Sequence, residues 1–140
     1  MSISEKIVNK MYNNDAFSQW LGIEIVGVKD GFCELKMNVR KEMLNGFQIV
    51  HGGIAYSLAD SALAFASNSH GRKCLSVETS ISHTVPVKKD DVLTAMTDEL
   101  SITDKIGVYL VRITNQDNQE VAYFKGTVYR TSKDWFPEDE

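Results

Sequence analysis

The sequence predicts an α+β domain in which a largely antiparallel sheet wraps around one long central helix. Three observations carry this. Residues from about Gly53 to Ser69 are apolar on one half of a helical wheel and stop short of Gly71. Two strand-like runs precede that helix and four follow it. The connections between the runs are too short for parallel crossovers, so the strands must turn back on one another.

Taken in order, residues 3–20 place Ile3, Ile7, Val8, Met11 and Trp20 at roughly helical spacing and predict one amphipathic helix within residues 1–20. Strands at 21–28 and 32–39 follow, with Lys29-Asp30-Gly31 as the turn of a hairpin. In the second strand Cys33, Leu35, Met37 and Val39 alternate with Glu34, Lys36 and Asn38, the pattern of one buried and one wetted face. After the central helix, runs at about 74–85, 91–102, 106–115 and 120–131 are punctuated by Pro86, Asp90-Asp91, Asp104-Lys105 and Asp117-Asn118. Residues 132–140 read as a frayed acidic tail. No repeat or internal linker divides the chain, so residues 1–140 are expected to form a single domain.

Composition removes several function classes. With 140 residues, 43% of them hydrophobic, the chain can bury a sizeable core. Its net charge of −4 and the lack of any Lys/Arg cluster longer than a dipeptide give no footprint for nucleic acid. No run approaches the ~20 apolar residues of a membrane span. The N-terminal residues contain no continuous apolar core of a secretory signal. Cys33 and Cys74 stand in separate predicted strands, which fits a reduced, cytoplasmic setting rather than a disulfide framework. His51, His70 and His83 show no recognised ligand spacing, so no metal is expected; no cofactor is expected either.

The stretch between Glu42 and Arg72 holds 29 residues and one formal charge, Asp60. A lone carboxylate in so neutral a segment is costly to bury, which makes Asp60 the first candidate for chemistry. On the wheel, Ile54, Ala55, Leu58, Ala59, Ala62, Leu63, Phe65 and Ala66 fill the half that should face the sheet. Tyr56, Ser57, Asp60, Ser61, Ala64, Ser67 and Asn68 fill the other half, with no Lys, Glu or Arg among them. Small, weakly polar residues there suit close packing against a second protein surface; the alternative is an exposed short-chain face that Asp60 keeps soluble. His51-Gly52-Gly53 opens this helix, where backbone N–H groups lack internal partners and glycines admit a close ligand oxygen. That suits a developing oxyanion; a tight turn with a capping histidine is the plainer alternative. Asp60 lies about 10 Å along the helix from Gly53 at ~1.5 Å per residue, too far to share one carbon with that turn. Antiparallel pairing of two such helices would bring each Asp60 to the other chain's turn, predicting two composite sites per dimer.

The element order, Asn45 separated by five residues from His51-Gly52-Gly53, and Leu58-Ala59-Asp60 together resemble the hotdog-fold acyl-CoA thioesterases, in particular the PaaI-like, phenylacetic acid degradation group. The resemblance runs from about residue 20 to 131 and includes Ser76-Val77-Glu78, Val85-Pro86-Val87 and Val121-Ala122. It implies a hotdog fold and hydrolysis of phenylacetyl-CoA or hydroxyphenylacetyl-CoA-like aryl thioesters. Asp60 would activate water or attack the thioester itself. The Gly52 and Gly53 amides would polarise the carbonyl, His51 would orient that end of the substrate, and Asn45 would hold the loop or position the thioester. Ser76 would sit near Asp60 and place the water; an ordinary strand serine and a loop-turn asparagine are the alternatives for Ser76 and Asn45. Coenzyme A would enter only within substrate and product. By position, Arg72, Lys73, Lys88 and Lys89 are candidates to meet its phosphates, or else solvated surface charges. Phe47 and Tyr56 are candidate walls of an acyl pocket between subunits, in a homodimer assembled into a homotetramer.

Other functions remain as alternatives. Medium-chain acyl-CoA esters are alternative substrates, since small loop changes retarget these enzymes. Hotdog enoyl-thioester hydratases and dehydratases also use a helix carboxylate and a histidine, but their usual signatures, a proline near the glycine or an Asp-(four residues)-His pair, are absent. A non-catalytic acyl-CoA-binding protein of this fold generally adds a DNA-binding helical module, for which the N-terminal residues are too few.

Overall fold

The computed structural model describes residues 1–137. Two helices open the chain where one was expected. Helix α1 (Ile3–Asn13) begins at Ser2, whose hydroxyl accepts the Glu5 amide while the Glu5 carboxylate accepts the Ser2 amide. Helix α2 (Ala16–Leu21) is separate because Asn14 ends the first helix and Asp15 caps the second, accepting from the Ser18 amide at 2.9 Å. The break takes Trp20 out of the apolar row. It is 52% exposed and stacked on Phe17, with ring centroids 6.2 Å apart.

Strands β1 (Glu24–Lys29) and β2 (Phe32–Asn38) form the expected hairpin. Its turn favours glycine at Gly31, where φ is +76°, in the left-handed region. Helix α3 (Gly52–Asn68) follows, then β3 (Arg72–His83), β4 (Val92–Ile102), β5 (Ile106–Thr114) and β6 (Glu120–Asp134). Every neighbouring pair is antiparallel, in the order β1-β2-β4-β5-β6-β3. The first strand after α3 is therefore an edge, paired with β6 alone among the described residues. Strand β6 continues to Asp134, and Trp135 donates through its indole to Asn68 Oδ1 and through its amide to the Gly71 carbonyl. The expected tail over 132–140 is thus ordered structure as far as Trp135, because the indole supplies a buried amide with its partner. Residues 138–140 lie outside the described residues.

The apolar half of α3 lies on the sheet as the wheel predicts. Leu58, Ala59, Ala62, Leu63, Phe65 and Ala66 are buried against inward residues such as Leu35, Leu93, Val111, Ile113 and Phe124. Each large side chain buried this way contributes roughly 1.5–3 kcal/mol. Gly126 lets the helix lie directly on β6, since a Cβ there would come within 2.5 Å of Leu63. The other half of α3 departs from the expectation of one continuous partner-facing surface. Ser61 is covered by α2, its hydroxyl 2.8 Å from that of Ser18, and Asn68 is buried beneath β3 and Trp135. Ser57, Asp60 and Ala64 stay partly exposed. No helix among the described residues is long and apolar enough to cross a membrane.

Candidate active site

The His51-Gly52-Gly53 turn presents two sides. His51 is the N-cap of α3, and its Nδ1 accepts the Gly53 amide at 3.0 Å, which leaves the ring proton of a neutral imidazole on Nε2. The Gly53 amide is thereby satisfied within the turn. The Gly52 amide has no acceptor among the described residues. Gly52 lines a cavity of about 330 Å³ with Asn45, Ile49, Ala55, His83 and Val121. Asn45 holds the preceding loop: its amide donates to the Ile49 carbonyl and its Oδ1 accepts the Phe47 amide, both at 2.8 Å. That orientation keeps the side-chain NH₂ as a donor not used within the loop. His51 and Gly53 instead line a separate cleft of about 300 Å³ with Phe17, Trp20 and Ser57.

Asp60 lies two turns further along α3, about 12 Å from Gly52 at ~1.5 Å rise per residue. It shares a small cavity of about 60 Å³ with Ser67, Cys74, Ser76 and Val128. The helix places Asp60 there and β3 places Ser76, so the two are brought together as expected. Half-burial pushes the Asp60 carboxyl above the ordinary carboxylate range, and the charge of Asp15 pushes it the same way. Neither effect is offset by a hydrogen bond to the carboxylate. The result is a carboxylate with enhanced proton affinity beside a hydroxyl.

The remaining sequence candidates disperse. Phe47 projects outward, 85% exposed, and lines none of these cavities. Tyr56 packs edge-on against Phe124 with ring centroids 5.4 Å apart and hydrogen-bonds Thr79, so its ring serves the core of its own chain. Arg72 is paired with Asp104, and the Lys73 ammonium lies 5.1 Å from the Trp135 ring centre. Lys88 lines a polar cavity of about 400 Å³ that adjoins the Gly52 cavity through Val85 and Pro86. Lys89 is exposed and lines neither.

The three histidines separate clearly. His51 caps the helix, and His70 is held 2.5 Å from Glu99 at the opposite end of the sheet. His83, which no motif or spacing singles out, reaches the Gly52 cavity. It is the last residue of β3, opposite Ala122, and strand alternation puts it on the same face as the core residue Ile81. Among the described residues no cluster of three or more His, Cys, Asp or Glu side chains is arranged to hold a metal ion.

Comparison with known proteins matches the chain to an enzyme family. Residues 47–122 match the thioesterase superfamily. The acyl-coenzyme A thioesterase PaaI of Escherichia coli is 40% identical over 120 residues, which cover 86% of this chain and 86% of that protein. The structure of Escherichia coli PaaI aligns with a TM-score of 0.92 at 36% identity, covering 94% of this chain and 96% of the other. A thioesterase protein of Streptococcus pneumoniae, solved with coenzyme A, aligns with a TM-score of 0.83 at 28% identity, covering 89% and 98%. Alanine variants of one aspartate and one threonine of a thioesterase protein from that organism have also been solved. With over half its length matched to the family and the six-stranded sheet packed on a long helix in common with these enzymes, the chain belongs to the thioesterase superfamily, as a PaaI-like thioester hydrolase of the hotdog fold.

Proposed function

We propose that the protein hydrolyses aryl thioesters of coenzyme A at two sites per homodimer. Each site combines Gly52 and Asn45 of one chain with Asp60 and Ser76 of the other. The observation that carries this is the division of donors and base between two cavities of one chain, about 12 Å apart along α3. A reacting carbon must lie within roughly 3–3.5 Å of its attacking atom. The exposed edge of β3, with Leu75 65% and Val77 61% exposed, supplies a surface for antiparallel pairing of two copies.

In such a site the raised Asp60 carboxylate takes a proton from water as the water oxygen bonds to the thioester carbon. The carbonyl oxygen becomes an oxyanion facing the Gly52 amide and the Asn45 side chain. Collapse breaks the carbon–sulfur bond, and the leaving thiolate recovers the proton from Asp60, giving free acid and coenzyme A. The cavity beside Asp60 and Ser76 has room for a water, which favours this route over direct attack by the carboxylate. In the pneumococcal thioesterase the substituted aspartate and threonine stand sixteen positions apart, the spacing of Asp60 and Ser76 here.

Lys88, beside the adjoining polar cavity, is the best placed of the basic candidates to meet the coenzyme phosphates. No cofactor is assigned a role in the reaction. The homotetramer would join two dimers through the outward sheet face, where Met96, Leu100 and Ile106 are exposed. The aryl preference follows the similarity to PaaI.

Thiol release from phenylacetyl-, hydroxyphenylacetyl- and hexanoyl-CoA tests the proposal. Asp60→Ala should lower kcat by about 10²–10⁴-fold with the dimer intact; near-normal release by that variant would refute the role of Asp60. Faster turnover of hexanoyl-CoA than of the aryl esters would overturn the aryl preference alone.

A further inference from the structure

We infer that His83 donates a hydrogen bond to the thioester carbonyl oxygen, beside the Gly52 amide. The inference rests on the thioesterase function proposed above. A Cβ built on Gly52 would lie 3.2 Å from His83 Nε2, 3.5 Å from Cε1 and 3.9 Å from Cδ2, so Nε2 is the ring atom nearest that glycine. The imidazole thus lies close against the first turn of α3.

Nothing within the chain accounts for this histidine as a structural residue. Unlike those of His51 and His70, its ring makes no hydrogen bond and no ion pair among the described residues. It is exposed at the end of an edge strand, past the last core contact of that strand at Ile81. The cavity it lines is otherwise built from Ile49, Val50, Ala55, Val85, Val87 and Val121, with Asn45 and Thr84 as its other polar side chains. A polar ring in an aliphatic cavity, next to an amide without an acceptor, is arranged for a substrate oxygen.

The chemistry gives His83 a definite signature. With its proton on Nε2 the ring is a donor, and no proton is transferred during the cycle. The carbonyl oxygen carries a partial charge in the bound ester and close to a full charge in the tetrahedral intermediate. A donor aimed at that oxygen therefore acts more strongly on the transition state than on the ground state. Its loss should appear in kcat and leave KM nearly unchanged. A residue that only shaped the wall would change KM and the ranking of acyl groups instead.

The test uses the full-length dimer and the CoA ester it turns over best. His83→Phe fills the ring volume without a donor, His83→Ala removes both, and His83→Gln restores a donor on a different frame. Phe and Ala should each lower kcat by about 10–10²-fold, less than the full loss of a sole donor because the Gly52 amide remains. Gln should recover most of that loss. Oligomeric state and thermal midpoint should match the unsubstituted protein in all three, since the ring is exposed and unbonded. Wild-type kcat in His83→Phe, a loss confined to KM, or Gln no better than Phe would each overturn the inference. Asp60→Asn measured alongside separates the two levels. If that variant is inactive while His83→Phe is fully active, the role of His83 falls and the thioesterase mechanism stands. If the unsubstituted protein releases no thiol from any CoA ester, both fall.

Discussion

Asp60 does not titrate in isolation. Asp15 caps α2, where it accepts from the Ser18 amide and hydroxyl at 2.9 and 2.6 Å, and Ser18 in turn meets Ser61, the neighbour of Asp60. Burial is the larger cause of the raised Asp60 carboxyl and the charge of Asp15 the second. Asp15→Asn keeps a good helix cap while removing that charge, so the carboxyl should fall part of the way toward its ordinary value. In the proposed mechanism catalysis requires Asp60 ionised, and the acid limb in kcat/KM follows the free-enzyme carboxyl. A raised carboxyl puts that limb at higher pH, and Asp15→Asn should move it to lower pH. A limb that stays in place would show that burial alone tunes Asp60. Asp60 was legible in the sequence because it is the single charge in 29 residues. Asp15 and His83 were not, since each reaches its place only when strands and helices from distant parts of the chain assemble.

At the scale of elements, the position of α3 on the sheet sets where Asp60 stands, and Gly126 fixes that position. A Cβ on this residue would come to 2.5 Å of Leu63, three residues beyond Asp60. The φ of Gly126 is not in the left-handed region, so alanine is allowed by the backbone and opposed only by space. Gly126→Ala should therefore destabilise by about 1–3 kcal/mol through overpacking, read as a lower urea midpoint with an unchanged slope. Lifting α3 from β6 should also lower thiol release, because the Asp60–Ser76 cavity lies between that helix and β3. An unchanged midpoint would mean that Leu63 repacks without moving the helix. The elements themselves were readable from periodicity. Alternation gave the strands, and the wheel gave the buried half of α3. The break at Asn14-Asp15 was missed because apolar spacing continues across it, and the docking of Trp135 because its partner Asn68 is far away in sequence. Strand order was also hidden: nothing local to Arg72–His83 marks it as an edge.

For the whole molecule, the decisive consequence of the proposed mechanism is that one chain would carry two half-sites rather than one site. A chain with Asp60→Ala keeps its donors at Gly52, and a chain with Gly52→Val keeps its base but crowds His83 and the carbonyl cavity. Each homodimer is inactive at both sites if base and donors come from different subunits. In a heterodimer of the two, one site draws both defects and the other draws neither. Free exchange of equal amounts yields half heterodimers, so about a quarter of the unsubstituted rate should return. Subunit exchange must be shown independently, for example by mass-tagged chains. With exchange shown, a mixture no more active than its components would place base and donors in the same chain. A site so divided would also tie activity to the edge of β3. Leu75 and Val77 lie on the strand that carries Ser76, so the contact that closes the sheet between copies would also set the distance from one chain's Asp60 to the other's Gly52.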